Sequence, residues 1–185
     1  MSDYKKFYRE SLDNRERFWS QQAELISWHR PFGTVLEYDN PPFAKWFVGG
    51  ETNLCFNAID RHLPSRSGQK GLVYISTETD EKTEFTYQEM SSQINACASM
   101  LREVGVERGD RVIVYMPMIP EAIFSVLACA RIGAIHCIVF GGFAAESLAS
   151  RIDDCSPKVI ITADAGMRGG RIIPYKPLVD RAIEI

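Results

Sequence analysis

The chain has 185 residues with 45% hydrophobic and 24% charged content and a net charge of −3. This is enough for a domain with a substantial core. The acidic balance, with no basic stripe interleaved with aromatics, argues against a nucleic-acid binder. Five cysteines (Cys55, Cys97, Cys129, Cys137, Cys155) lie far apart with no Cys-x-x-Cys spacing, which argues against a zinc ribbon or a redox pair. Buried reduced thiols in a cytoplasmic protein are the expectation.

The polar amino terminus, rich in both charges, has the pattern of neither a signal peptide nor a transit peptide. Tyr4 to about Leu12 and Glu16 to Trp28 carry helical periodicity, with Asp13 or Asn14 available as a cap. Pro31, Pro41 and Pro42 then break regularity, and Phe32 to Asn53 reads as irregular and aromatic-rich. Asn53 to His62 reads as a short helix. His62 invites a chemical role, but no second histidine, cysteine or nucleophilic serine stands at a recognisable spacing, and a structural histidine is the plainer reading.

From Gly71 the texture changes. Leu72–Ser76 and Glu84–Thr86 form an expected hairpin around the charged turn TETDEKT. Thr86 with Glu89 has the capping-box spacing and opens a helix that ends at Gly105. Strands are expected at Arg111–Met116, Ile135–Phe140 and Val159–Thr162. Helices are expected at Pro120–Ile132, Ala144–Asp154 and from Leu178 onward. This alternation predicts parallel βαβ units. The fold class is therefore α/β: a helical and irregular lead over residues 1–70, then a mostly parallel, truncated sheet over 71–185. The apolar run Ile123–Ala145 is long enough to consider as a membrane span. It holds Arg131 and His136 near its middle, and an arginine at that depth costs about 2.5–3.5 kcal/mol. A helix followed by a strand is the better reading, so no membrane partner is expected.

The stretch Ile135–Arg171 holds the candidate site. The strand ending at Phe140 stops at Gly141-Gly142, and the strand ending at Thr162 leads to Arg168-Gly169-Gly170-Arg171, read as a loop. Ligands of open α/β sheets bind at the carboxyl ends of strands, and glycine amides and helix N-termini there attract phosphate. Residues 157–181 hold five basic side chains against two acidic, a local net of +3 in an acidic chain. Two arginines three apart can grip one phosphate as forks. The same features also fit a plain turn and surface ion pairs, and both readings stand on the residues alone. No catalytic or metal-ligating set is expected in this chain.

Four stretches carry a further signal: FYRESLDNRERFWSQQAELISW, KWFVGGETNLCFNAIDRH, GDRVIVYMPMIPEAIFSVLACARIGAIHCIVFGGFAAESLASRIDD and ITADAGMRGGRIIPYK. Together they resemble the amino-terminal part of the acetyl-CoA synthetase branch of the adenylate-forming superfamily. The wording is nearer the propionate–CoA ligases than the acetate enzymes. The resemblance implies an ATP-dependent ligase in which a short-chain carboxylate becomes an acyl-adenylate and the thiol of coenzyme A then displaces AMP. It implies that Phe140, Gly141 and Gly142 line the coenzyme A site, and that Arg168 and Arg171 contact its phosphorylated nucleotide end. ATP and Mg2+ would act through segments the resemblance places beyond Ile185, so an amino-terminal piece, inactive alone and prone to self-association, is expected. The alternatives are an acetate–CoA ligase, a non-catalytic coenzyme A or nucleotide-binding module, or an assembly segment.

Overall fold

The computed structural model describes residues 3–185, which divide into two compact units, one up to Asn53 and one of residues 54–185. In the first, α1 (Asp3–Asp13) and α2 (Arg15–Ala23) precede strands β1 (Thr34–Asn40) and β2 (Phe43–Val48), which pair antiparallel. The stretch expected to be irregular is thus partly a two-stranded ribbon. Its two prolines, Pro41 and Pro42, occupy the turn rather than ending the order. Asn14 stands at the start of α2, but its side chain donates to Glu10 instead of capping that helix. Rings hold this unit together. Phe18 is 3% exposed and packs edge-on against Phe7 and Trp19; Trp28, Phe32 and Phe47 form a second cluster. The Trp28 indole N–H donates to the Ala23 carbonyl at 2.9 Å.

The second unit begins with α3 (Leu54–Ala58), a 3-10 turn (Asp60–His62) and α4 (Leu63–Arg66). Strands β3 (Lys70–Ile75) and β4 (Lys82–Thr86) form the expected hairpin. Helix α5 (Tyr87–Glu103) opens on a complete capping box. The Thr86 hydroxyl accepts from the Glu89 amide at 3.2 Å, and the Glu89 carboxylate accepts from the Thr86 amide at 2.8 Å. Then follow β5 (Arg111–Met116), α6 (Pro120–Ile132), β6 (Ile135–Phe140), α7 (Ala145–Cys155) and β7 (Val159–Thr162). Gly133 ends α6 in the left-handed region, φ 77°, where glycine carries no steric penalty.

Strands β5, β6 and β7 form a parallel sheet in the order β6-β5-β7. The central strand is covered on both faces, which is why Val112–Met116 runs without polar alternation. Val112 packs into one core with Ile94, Leu101 and Phe124, on the side of α5 and α6. Ile113 and Tyr115 pack into another with Leu148, Ala149 and Val179, on the side of α7 and α8 (Tyr175–Glu184). Successive residues thus point to opposite faces, as a strand requires.

The Arg168-to-Arg171 segment, expected as a loop, is the tip of a hairpin: β8 (Gly166–Arg168) pairs antiparallel with β9 (Arg171–Ile173). No described helix is long and apolar enough to cross a membrane. The run Ile123–Ala145 holds most of α6, all of β6 and the first residue of α7. Its Arg131 forms an ion pair with Asp60 at 2.7 Å.

Candidate functional site

Chain connectivity opens a crevice at one end of the sheet. After β5 the chain turns to the face bearing α6; after β6 it turns to the opposite face, bearing α7. Where two neighbouring strands send their connections to opposite faces, a gap is left outside their carboxyl ends. Met116 of β5 is the register partner of Phe140 of β6, and both lie at this end. The gap is a cleft of about 500 Å³, lined in part by Met116, Phe140, Gly141, Gly142, Arg168 and Tyr175.

Neither Gly141 nor Gly142 has a positive φ, so neither is demanded by turn conformation. Both are demanded by close approach. A Cβ on Gly141 would fall on the Tyr175 hydroxyl and 2.9 Å from the Met116 carbonyl. A Cβ on Gly142 would fall on a guanidinium nitrogen of Arg168 and 2.5 Å from the Phe140 ring. Tyr175, at the first turn of α8, is 5% exposed, and burial pushes its hydroxyl pKa up. Its ring lies 5.1 Å from that of Tyr115, whose own hydroxyl donates to the Phe143 carbonyl at 2.7 Å and so pins the segment after the glycines. Helix α7 then starts with no side-chain cap, leaving its first amides to attract an anion.

The arginines belong to the β8–β9 hairpin. Gly169 (φ 58°) and Gly170 (φ 70°) are both left-handed, the type I′ turn that two glycines permit. Arg168 and Arg171 are therefore direct cross-strand partners, and directly opposed residues project to the same face of a ribbon. The Arg168 guanidinium lies 5.2 Å from the centroid of the exposed Phe140 ring, within cation–π range. Among the described residues no carboxylate forms an ion pair with Arg168 or Arg171. Of the five residues singled out from sequence, Phe140, Gly141, Gly142 and Arg168 line the cleft together. Arg171 stands exposed opposite Arg168, outside the lining.

Two residues escaped the sequence reading. Tyr175 lies ahead of the helix expected from Leu178, whereas α8 begins at Tyr175 itself. Glu78 reads as one charge in a charged turn, yet its two carboxylate oxygens accept from the Gly169 and Gly170 amides at 2.7 and 2.8 Å. Those two bonds hold its pKa below the usual carboxylate value. No spacing in the sequence signals a pairing across 91 positions. His62 lies outside the cleft, its ring 5.3 Å from that of Tyr87.

An exposed pair of like charges beside an aromatic face, a close-approach glycine pair and an uncapped helix start can receive a phosphorylated ligand with an apolar portion. Comparison with known proteins bears on which family this is. A family model described as "AMP-binding enzyme" matches residues 64–182, and one described as "Acetyl-coenzyme A synthetase N-terminus" matches residues 4–58. The chain is 56% identical over 180 residues to the propionate–CoA ligase of Escherichia coli strain K12, covering 97% of this chain and 29% of that protein. It is 46% identical over 185 residues to the human mitochondrial acyl-CoA synthetase short-chain family member 3, of which it covers 27%. In structure it resembles acetoacetyl-CoA synthetase from Streptomyces lividans with a TM-score of 0.90 and 30% identity, over 100% of this chain and 28% of that one. The chain thus spans under a third of the length of the curated relatives it matches, and across most of its own length it belongs to the AMP-binding enzyme family.

Proposed function

We propose that the chain carries part of the coenzyme A site of an ATP-dependent acid–thiol ligase. The ligase makes propionyl-CoA, or another short-chain acyl-CoA, through an acyl-adenylate. The observation that carries the reading is the cleft shared by Phe140, Gly141, Gly142 and Arg168, with Arg171 facing the same way across the hairpin. In this reading Arg168 and Arg171 hold the 3′-phosphate of coenzyme A, and the glycines let the ligand lie close to the backbone. The Phe140 ring offers an apolar face beside the charge.

ATP and Mg2+ serve the adenylation half of the reaction, apart from the coenzyme A cleft. Propionate as the acid rests on the 56% identity to the Escherichia coli enzyme; an acetyl-coenzyme A synthetase of Xanthobacter autotrophicus is 48% identical over 183 residues and keeps acetate as the second reading. A cytosolic setting fits five cysteines that are all free thiols.

The test is calorimetric titration of the chain with coenzyme A and with dephospho-coenzyme A, which differ only in the 3′-phosphate. The expected result is tighter binding of coenzyme A. An exposed charge-assisted grip of about 1 kcal/mol corresponds to roughly fivefold. The preference should shrink in Arg168→Ala and with rising salt. Equal affinity for the two ligands, or a preference untouched by Arg168→Ala, defeats the assignment.

A further inference from the structure

Glycine amides at the tip of a type I′ hairpin have no partner within the ribbon, because the ladder bonds at this end belong to the flanking pair, here Arg168 and Arg171. Two successive left-handed residues turn those amides toward one side and make a small anion-receiving concavity. A ligand phosphate would be an obvious occupant. The chain fills it instead with its own carboxylate: Glu78 Oε1 accepts from Gly169 and Oε2 from Gly170, at 2.7 and 2.8 Å.

We infer that Glu78 is a positioning residue for the arginine pair, fixing the Gly169–Gly170 tip so that Arg168 and Arg171 present both guanidiniums to the same phosphate. The inference rests on the coenzyme A reading above and adds to it a residue and a cause.

The pairing of partners is itself informative. A carboxylate close to two arginines would ordinarily form ion pairs with them. Here its oxygens are bound to backbone amides, and no described carboxylate pairs with either guanidinium. Both positive charges are left for a ligand. Strands β8 and β9 have three residues each, and an isolated ribbon that short has little stability of its own. Its tip therefore needs an outside tether. The β3–β4 turn supplies one that is itself ordered: the Ser76 amide donates to the Glu81 carbonyl at 2.8 Å, the Thr79 amide to the Ser76 hydroxyl at 3.2 Å, and the Thr79 hydroxyl to the Glu81 carboxylate at 3.2 Å. Glu78 sits inside this bracket and ties one hairpin tip to the other.

Two measurements on the whole chain test the inference. The first needs no ligand. In a pH titration followed by amide NMR, the Gly169 and Gly170 resonances should move together with one carboxylate that titrates below the usual value of 4.5, and the movement should vanish in Glu78→Gln. Glycine amides that ignore Glu78 overturn the tether outright. The second compares coenzyme A with dephospho-coenzyme A in Glu78→Ala. Loss of the tether should lower coenzyme A affinity by about threefold to fivefold, as expected for an exposed electrostatic grip, and leave dephospho-coenzyme A unchanged. Glu78→Gln keeps one acceptor and should fall between. A wild-type preference that survives Glu78→Ala overturns the role of Glu78 alone. Tighter coenzyme A binding in Glu78→Ala also overturns it, by showing a plug that competes with the ligand. A wild-type chain that binds both ligands equally overturns the coenzyme A reading, and this role with it.

Discussion

An added methyl group meets different neighbours at Gly141 and Gly142, and the difference separates stability from binding. At Gly141 the obstacles are a buried tyrosine and a backbone carbonyl, neither free to move. Gly141→Ala should therefore cost about 1–3 kcal/mol, the range for overpacking a filled site, read as a lower urea midpoint at unchanged slope. At Gly142 the obstacles are the exposed Arg168 guanidinium and the exposed Phe140 ring, which can swing aside. Gly142→Ala should change the urea midpoint little but reduce the preference for coenzyme A over dephospho-coenzyme A. If both variants lose stability equally, the glycine pair serves packing alone. The sequence marks both glycines as turn residues; it cannot show that Tyr175 and Arg168, more than 25 positions away, are what exclude a side chain.

At the scale of elements, local chemistry and pattern go far. The Thr86–Glu89 box is legible because its partners are three residues apart, and the structure closes both hydrogen bonds. Thr86→Ala should lower stability by about 1 kcal/mol through the lost cap, measured by urea unfolding, while Glu89→Gln retains one acceptor and costs less. Strand β5 is equally legible, since both its faces are buried and, after the exposed Arg111, its residues run Val-Ile-Val-Tyr-Met without polar alternation. The β1–β2 ribbon is not. Its exposure pattern has no clean alternation, its two prolines read as breaks, and its rings pack on Trp19, Trp28 and Phe32 outside the strands. Hairpin β8–β9 escaped notice for a different reason: three residues per strand are too few to show a period, although two glycines between paired arginines are the hairpin signal itself.

At the scale of the molecule, the parallel sheet has an uncovered side. Strands β6 and β7 are its two edges. On β6, Val139 faces the core while Ile138 and Phe140 are 64% and 58% exposed on the opposite face. An edge with exposed apolar residues pairs readily with another chain. Sedimentation velocity should show association that grows with concentration and weakens in Ile138→Lys; a concentration-independent monomer would rule this out.

The βαβ elements from β3 to β7, their order and the family can be derived from the chain alone, because hydrophobic period, caps and turn residues act over a few positions and long motifs carry the likeness. The α/β class and the basic segment around Arg168 follow in the same way. What tertiary structure alone decided is the convergence: that the ends of β5 and β6 open to opposite faces, that Tyr175 closes over Gly141, and that Glu78 reaches across to the glycines between the arginines. These contacts join residues that are distant in sequence. They are fixed by how helices pack on a sheet and by which buried or turned amides still need a partner, and neither is written in any local pattern.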